Sequence, residues 1–255
     1  MKRFVILIYG IFCYVLFFGT FLYAIGFLGN FAVPKSIDSP APTDPLAAIG
    51  VNLGLLAIFA LQHSVMARPG FKRAWTRLVP KPAERSTYVL ASSLALILVF
   101  WGWQPIAGGL YSIESEPGRT LLYGLFLSGV GLVLYATFLI DHFGLFGLRQ
   151  VVLHFRGVPY EEKRFVTPSL YKHVRHPLYL GWFVTFWATP EMSWGHLLMA
   201  VGTSGYILVA VVFEERDLLS LLGSDYRRWR ESTPAFVPAL RRRRRSDPAS
   251  HRMTA

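Results

Sequence analysis

The sequence predicts an all-α integral membrane protein, built as a bundle of four spanning helices followed by a C-terminal helical hairpin. Three observations predict this fold class. First, 53% of the 255 residues are hydrophobic and the mean hydropathy is +0.39, which is unusual for a soluble domain. Second, long apolar runs without Asp, Glu, Lys or Arg recur along the chain. Third, the basic residues behind the formal net charge of +11 gather between alternate runs.

Each predicted spanning helix corresponds to a charge-free run that can cross a hydrocarbon core about 30 Å thick, which takes roughly 20 residues. The first four runs occupy residues 4–33, 45–67, 86–113 and 120–140, and a fifth occupies residues 192–213. The first run is too long for a signal peptide, so we expect it to remain as a helix. It contains Cys13, the single cysteine, so no intrachain disulfide can form and a buried thiol is expected.

The hairpin follows from a shorter apolar piece, residues 177–189, which as a helix would reach only about 20 Å. By the positive-inside rule, the basic N-terminus, second loop and 141–177 segment lie in the cytoplasm. The arginine-rich C-terminus should lie there too, which requires an even number of crossings after residue 177. We therefore expect a turn near residues 190–193, with a tilted or re-entrant first arm. The result is five to six membrane segments with cytoplasmic N- and C-termini.

One membrane-embedded domain, residues 1–238, is predicted, followed by a basic and disordered tail at 239–255. The run from Arg241 to Arg245 is expected to bind anionic membrane lipids, each charge near the surface contributing about 1 kcal/mol. Nucleic-acid binding is the weaker reading of such a run, and we predict no nucleic-acid partner. The chain has no Gly-rich phosphate-binding fingerprint, and one cysteine cannot build a cysteine-based metal cluster, so we predict no metal.

Two charged blocks lie where apolar runs end, and charge at such positions is costly and often functional. The first is the turn Arg175-His176-Pro177, and the second is Glu214-Glu215 at the end of the fifth run. In a hairpin the two blocks meet at one membrane face. Proline suits the first position of a helix, where unpaired backbone N–H groups attract anions. The alternatives are blocks that meet lipid headgroups, or that pair directly with each other.

A single zwitterionic ligand would satisfy both blocks at once. S-adenosylmethionine presents a carboxylate to the Arg/His turn, and its ammonium, ribose diol and sulfonium suit carboxylates and aromatic faces such as Tyr179 and Trp182. We therefore predict a site for this cofactor between the two blocks.

The same region carries a family resemblance. RHPLYLG, followed across the hairpin by FEERDLLSLLGSDYRRW, resembles the cofactor-binding region of the isoprenylcysteine carboxyl methyltransferases and phospholipid N-methyltransferases. This resemblance covers residues 168–229 and implies that S-adenosylmethionine is held there. The cofactor-binding residues that it implies are Arg175, His176, Pro177, Tyr179, Gly181, Glu214, Glu215 and Tyr226. Over nearly the whole chain, LQHSVMAR from residue 61, ERSTYVL from residue 84 and DHFGLFGLRQ from residue 141 are similar to the NnrU-related branch, which contains the bacterial methanethiol S-methyltransferases. The resemblance implies S-adenosylmethionine-dependent methylation of methanethiol to dimethyl sulfide, in the bacterial inner membrane, at the cytoplasmic face.

Two other functions stay open. One is methylation of a larger acceptor, a prenylated cysteine or a phospholipid, with the same cofactor. The other is a non-enzymatic membrane accessory protein of nitrogen-oxide metabolism, in which the charged blocks serve packing and lipid contact.

A thiol acceptor attacks as its thiolate, so a base or a cationic environment near the acceptor is useful. Asp141 and His142 end the fourth run and are the predicted catalytic residues, as a carboxylate-oriented imidazole or a direct carboxylate base. The alternative is that Asp141 only pairs with Arg149. Arg85 either forms a helix-start pair with Glu84 at the membrane surface or favours a thiolate, and His63 either packs within the second helix or meets the acceptor. The aromatic residues form either an interfacial belt or an apolar acceptor pocket. The predicted substrate-binding residues are His63, Arg85, Tyr88, Phe143, Phe146 and Trp182.

Overall fold

The computed structural model describes residues 1–39, 44–161 and 166–238. Within these ranges five helices are long and apolar enough to cross a membrane, which confirms the predicted all-α integral membrane fold. The orientation of the termini stays a prediction. The tail at 239–255, with its run from Arg241 to Arg245, lies outside the described residues. The five helices are α1 (Lys2–Gly29), α2 (Pro45–Ala67), α4 (Lys81–Gly102), α5 (Glu116–Ile140) and α9 (Trp194–Leu222).

Shorter elements connect the long helices. Most of them are helical, and two short strands form an antiparallel pair that the sequence analysis did not predict. The helical connections are α3 (Pro69–Trp75), α6 (His142–Leu145), α7 (Leu148–Arg156), a 3-10 turn at Ser169–Lys172, α8 (Pro177–Trp187) and α10 (Ser224–Ser232). The strands are β1 (Gly109–Ser112) and β2 (Glu191–Ser193).

Local sequence signals fix several helix ends. The Asp44 carboxylate accepts a hydrogen bond from the Leu46 amide at 2.9 Å and precedes a proline at the first position of α2. Ser193 caps α9 in the same way, accepting from the His196 amide at 2.9 Å. At its other end, α1 stops at Asn30, which adopts a left-handed conformation with φ of 57°.

The predicted C-terminal hairpin is present, and its first arm is helical over only part of its length. With 11 residues, α8 reaches about 17 Å, so it is too short to cross the hydrocarbon core as a helix. The Trp187 indole N–H at its end donates to Ser204 Oγ at 3.0 Å, near the middle of α9. Irregular chain then continues to β2, where the predicted turn near residues 190–193 lies. Residues 177–193 therefore form a short helix, an irregular stretch at 188–190 and the strand β2.

The helix α8 packs most extensively against α5, and glycines permit the close approach. A Cβ atom at Gly181 would lie 2.8 Å from the Gly129 carbonyl oxygen, and one at Gly129 would lie 2.8 Å from the Gly181 carbonyl oxygen. Gly181, a predicted cofactor-binding residue, thus lies at a helix crossing. The bundle has two distinct ends. We call the end where α8 begins and α9 leads into α10 the charged end, and the end with β1 and β2 the sheet end.

Candidate active site

The long helices enclose a cavity of about 380 Å³, bounded by α1, α2, α4, α5, α8 and α9. Pockets of this size hold small molecules and cofactors, and most are lined by apolar side chains with a few polar groups. Most of this wall is apolar, with Phe21, Leu96, Phe100, Phe186 and Met199 among its members. The polar side chains of the wall are His63, Arg85, Tyr88, Ser92, Ser93, Thr137, Tyr179, Thr203 and Tyr206.

Three of the predicted substrate residues form one hydrogen-bonded or stacked group in this wall. The Tyr88 hydroxyl lies 2.9 Å from His63 Nε2, and His63 Nδ1 lies 3.1 Å from Ser92 Oγ. The Arg85 guanidinium lies over the Tyr88 ring, 5.2 Å from its centroid, and its Nε donates to the Leu145 carbonyl at 2.7 Å. The structure therefore brings α2 and α4 together through polar side chains that border an apolar cavity.

Tyr179 connects the cavity to the charged end. Its ring lines the cavity, and its hydroxyl donates to Glu214 Oε2 at 2.9 Å. The Glu214 side chain is 44% exposed, so its carboxylate is open to a further partner. Trp182 lies one helical turn further along α8 and also lines the cavity, stacked on Phe186 with ring centroids 5.4 Å apart. Two aromatic faces thus follow each other along this wall, and the first of them is hydrogen-bonded to an accessible carboxylate.

The other carboxylate of the pair, Glu215, is enclosed by three basic side chains. Arg175 Nε and Nη2 each lie 2.8 Å from Glu215 Oε1, and His176 Nε2 lies 3.1 Å from the same oxygen. Arg230 Nε lies 2.9 Å from Glu215 Oε2. The side chains of Arg175 and Glu215 are only 12% and 8% exposed. The two blocks therefore pair directly with each other, which is the alternative to a bridging ligand.

The chain after α10 closes over this cluster. The Arg175 amide donates to the Pro234 carbonyl at 2.9 Å and the His176 amide donates to the Ala235 carbonyl at 3.0 Å. The Arg175 guanidinium also donates to the carbonyls of Arg230 and Thr233. These bonds fix the start of α8, where Pro177 is the first helical residue and is fully buried.

Tyr226, on α10, is fully buried beneath the ion cluster, and its burial raises the pKa of its phenol to about 12. The neighbouring Trp229 donates its indole N–H to the Tyr171 carbonyl at 3.2 Å. Burial also raises the pKa of Tyr171. Both phenols are therefore neutral, and the region around the cluster is held by packing and neutral hydrogen bonds.

The predicted catalytic pair lies behind the cavity wall. Asp141 Oδ2 lies 2.8 Å from Arg149 Nη1, which is the ion pair that the sequence analysis gave as its alternative. His142 is 4% exposed, and its Nδ1 and Nε2 lie 2.8 Å from Thr137 Oγ1 and 2.9 Å from the Tyr14 hydroxyl. Its ring is therefore oriented by two hydroxyls. Burial lowers the pKa of His142, so its imidazole is neutral near pH 7.

The two remaining predicted substrate residues, Phe143 and Phe146, lie in different places. Phe146 lines the cavity and stacks on Phe17, with ring centroids 3.8 Å apart. Phe143 is 47% exposed and faces away, packed against Tyr14 and Phe138. Phe146 also contacts His142, with centroids 4.9 Å apart, so it lies between the cavity and the predicted catalytic pair.

Sequence reasoning missed four residues that complete these groups. Thr137 and Tyr14 orient His142, and neither gives a signal because hydroxyls and tyrosines are ordinary in apolar helices. Tyr206 lines the cavity and contacts Ser64, with the two hydroxyls 3.2 Å apart. Its phenol lies in an apolar run, as that of Tyr14 does, and gives no signal either. Arg230 pairs with Glu215, and one arginine within a basic C-terminal region gives no signal of such a contact.

This fold and this site define a class, a polytopic helical membrane protein whose polar side chains converge on an internal cavity near one charged end. Comparison with known proteins identifies the family within that class. The chain is 51% identical over 240 residues to a methanethiol S-methyltransferase of Crocosphaera subtropica, covering 94% of each protein. It is 51% identical over 238 residues to that of Mycobacterium tuberculosis, covering 93% of this chain and 98% of the relative.

The chain therefore belongs to the methanethiol S-methyltransferase family, and the predicted enzyme class, a methyltransferase, is confirmed. A more distant relative is human Nurim, 33% identical over 181 residues and covering 68% of this chain and 69% of Nurim. No family model and no solved structure matches the chain.

Proposed function

We propose that the protein transfers a methyl group from S-adenosylmethionine to methanethiol and releases dimethyl sulfide, at the cytoplasmic face of the bacterial inner membrane. The proposal that methanethiol is the acceptor rests on the relatives, which are 48–51% identical to this chain and are named methanethiol S-methyltransferase. An acceptor this small and apolar suits a cavity whose wall is mostly hydrocarbon.

One observation carries the proposal for the donor. Tyr179 borders the cavity with its ring and binds Glu214 with its hydroxyl, so a single ligand can contact the charged end and the cavity wall together. Glu214 suits an ammonium or a ribose diol, because its carboxylate is nearly half exposed. The faces of Tyr179 and Trp182 suit a sulfonium cation. These three residues fit S-adenosylmethionine, which when bound supplies an electrophilic methyl group.

The remaining predicted cofactor residues support this contact surface. Glu215 holds Arg175 and His176 against the end of α9, and this fixes the first turn of α8. Backbone N–H groups at that turn favour a carboxylate. We therefore assign Arg175, His176 and Glu215 to positioning the start of α8. Pro177, Gly181 and Tyr226 act through packing at the same end of the bundle.

The acceptor contacts the polar part of the cavity wall. His63, Arg85, Tyr88, Phe146 and Trp182 border one continuous space, in which methanethiol meets a guanidinium, hydroxyls and aromatic faces. Closure of this space by apolar helices excludes water from the reacting sulfur. Asp141 and His142 stay predicted catalytic residues, and in this geometry His142 acts through Thr137, which borders the cavity.

The proposed orientation rests on charge. Basic residues crowd the charged end, whereas the sheet end has Lys35 and Arg119 among the described residues. The positive-inside rule assigns such an end to the cytoplasm. The basic residues of the charged end include Lys2, Arg3, Arg68, Lys72, Arg73, Arg77, Arg149, Arg156, Arg175, Arg227, Arg228 and Arg230.

The test is methyl transfer by detergent-purified protein given S-adenosylmethionine and methanethiol, with dimethyl sulfide measured in the headspace. Wild type should form product, and Glu214→Gln should lose most of it. The matched control is Asp225→Asn, an exposed carboxylate whose ion pair with Arg228 is away from the cavity. Absence of product from wild type would refute the proposal.

A panel of prenylated cysteine and phospholipid acceptors with methyl-labelled donor separates the alternatives. Label in the lipid extract would indicate a larger acceptor. Failure of S-adenosylmethionine to bind wild type in calorimetry would favour the non-enzymatic accessory role.

A further inference from the structure

One guanidinium in the cavity wall has no carboxylate partner. Arg85 lies in the first turn and a half of α4, and its contacts are the Leu145 carbonyl and the face of Tyr88. Among the described residues, no Asp or Glu oxygen lies within 4 Å of it. Both contacts leave its positive charge formally uncompensated in a wall that is mostly apolar.

Four other arginines of the protein each have a carboxylate partner. Arg68 pairs with Asp217 at 3.0 Å and Arg119 pairs with Glu191 at 2.8 Å. Arg149 has Asp141 and Arg175 has Glu215, as described above. A charge that borders a low-dielectric space is stabilised by an opposite charge. Arg85 therefore differs from its paired neighbours because its opposite charge has to come from the contents of the cavity.

The titratable groups that face this space from the surrounding helices are uncharged donors or acceptors in their ordinary forms. They are His63 from α2, Tyr88 from α4, Tyr179 from α8 and Tyr206 from α9. Glu214 approaches the space only through Tyr179, to which it is hydrogen-bonded. The cavity thus combines one fixed cation with hydroxyls and an imidazole that can donate to a small anion.

We propose that Arg85 binds the acceptor as its anion, so that the substrate class of this enzyme is small thiolates. The proposal rests on the function proposed above. On binding, the S–H bond breaks, the proton leaves to the solvent and the sulfur keeps the electron pair. A free cysteine thiol has a pKa of about 8.5, and a neighbouring cation lowers the pKa of a thiol, so the guanidinium reduces the cost of ionising the acceptor near neutral pH.

This chemistry also explains selection for sulfur. Alcohols do not ionise near neutral pH, and amines become cations, which the guanidinium repels. Methanol and methylamine are similar in size to methanethiol, so an apolar wall alone discriminates poorly between them. A fixed cation discriminates by charge. The enzyme should therefore methylate methanethiol and small homologous thiols, and leave methanol and methylamine unreacted.

The first experiment measures protons without methyl transfer. Methanethiol is titrated calorimetrically into the wild-type protein near pH 7, without the methyl donor. The titration is done in phosphate and in Tris, whose ionisation enthalpies differ, so the difference in heat gives the number of protons released. Wild type should release close to one proton per bound thiol. Arg85→Gln should release none and bind roughly tenfold more weakly. Arg85→Lys, which keeps the charge, should release protons. The control is Arg68→Gln, which removes an exposed ion pair and should behave as wild type.

The second experiment uses pH. For Arg85→Gln, kcat/KM for methanethiol should rise roughly tenfold per pH unit across the neutral range, because only the ionised thiol reacts. Wild type should reach its plateau at lower pH. Affinity for S-adenosylmethionine should be unchanged in Arg85→Gln, which shows that the variant is folded.

Thiol binding without proton release in wild type, or equal release by wild type and Arg85→Gln, would overturn the proposal. Loss of donor binding in Arg85→Gln would also overturn it, since Arg85 would then serve the donor or the fold. These results differ from failure of the proposed function, in which wild type would bind thiolate but form no dimethyl sulfide.

Discussion

The two ends of the bundle are closed by different chemistry. At the charged end, Glu215 gathers Arg175, His176 and Arg230 into one ion cluster. At the sheet end, hydrogen bonds carry most of the closure, and one partly exposed ion pair joins Arg119 to Glu191. Asn52 donates to the Gln104 carbonyl at 2.7 Å and accepts from the Gln104 amide at 2.8 Å.

Further contacts of the sheet end are also hydrogen bonds. His196 Nε2 lies 3.0 Å from the Phe186 carbonyl oxygen, and Ser193 donates to Asp38. The strands β1 and β2 pair their own backbones across this end. The comparison teaches that hydrogen bonds and strand pairing close the sheet end, whereas the charged end keeps an exposed carboxylate, Glu214, bonded to Tyr179 of the cavity wall. We therefore place the proposed ligand site at the charged end.

The largest expected effect comes from breaking the ion cluster. Glu215→Ala leaves three basic side chains without their shared carboxylate, and removing one partner of a buried ion pair costs about 3–5 kcal/mol. The free energy of unfolding should fall by that amount, and S-adenosylmethionine binding should weaken as the start of α8 loosens. Chemical denaturation and calorimetry measure the two effects. Asp217→Ala is the matched control, because its pair with Arg68 is exposed. Unchanged donor affinity in both Glu215→Ala and Arg175→Ala would disprove the positioning role.

A substitution at the sheet end should change the stability of the protein and leave donor binding unchanged. Asn52→Ala removes both hydrogen bonds to the Gln104 backbone at a fully buried position, and each buried group left unpaired costs about 1–3 kcal/mol. Denaturation should report that loss, while donor affinity of the folded fraction should match wild type. A changed donor affinity would show that the two ends are coupled.

Glu214→Gln should separate binding from stability at the charged end itself. Its carboxylate is exposed, so unfolding should change little. Loss of a charge-assisted hydrogen bond worth about 1.5–3 kcal/mol should weaken S-adenosylmethionine binding roughly 10- to 100-fold. Tyr179→Phe should weaken S-adenosylmethionine binding by a factor near the lower end of that range. Calorimetry with both variants checks this, and wild-type affinity in both would remove Tyr179 and Glu214 from the donor site.

The predicted catalytic pair gives a smaller and more specific effect. If Asp141 is catalytic, Asp141→Asn lowers turnover more than donor affinity and alters the pH profile. Its partly exposed ion pair with Arg149 should cost the fold at most about 1 kcal/mol. Steady-state kinetics across pH decides the role, and a normal rate at every pH would exclude Asp141 from the mechanism.

The smallest effect is a pH dependence of stability near His142. Burial lowers the pKa of His142 in the folded protein, while the unfolded chain binds the proton near the ordinary value of about 6.5. The unfolded state therefore gains protons first as pH falls. The contribution of His142 to stability should be complete above about pH 6.5 and be lost as pH falls through the folded pKa. Unfolding of wild type and His142→Gln from pH 7.5 to 5 should differ only at the acid end, and parallel curves would contradict this.

The long helices could be predicted because a spanning run of apolar residues is a strong and local signal. The strand pair could not, because β1 and β2 have four and three residues and are paired across 78 intervening positions between Ser112 and Glu191. The hairpin followed from charge counting along the chain, which fixes the parity of crossings but not the length of each helix. For that reason the division of residues 177–193 into a short helix, an irregular stretch and a strand had to come from the structure.

The positions of charged residues along the sequence indicate at which face of the membrane a side chain lies, but not how far apart two side chains are. These positions therefore brought Arg175 and Glu215 to one end correctly but left open whether they pair directly or through a ligand. The orientation of His142 needed Tyr14, 128 positions away on α1, and no pattern within either helix indicates that contact. It was easier to predict that His63, Arg85 and Tyr88 face the bundle interior, because polar groups near the ends of apolar runs are few and tend to do so. Their role in binding the substrate stays a prediction.

The shortness of α8 has a consequence for biosynthesis. A helix of 11 residues is too brief to partition into a bilayer alone, and the irregular chain that follows it carries backbone groups that lipid cannot satisfy. In the finished protein these groups are bonded within the fold, for example the Pro190 carbonyl to the Ile113 amide at 2.9 Å and the Thr189 carbonyl to the Tyr111 hydroxyl at 3.2 Å. Residues 177–193 must therefore enter the bilayer together with α9, after α4 and α5 are already there to receive them.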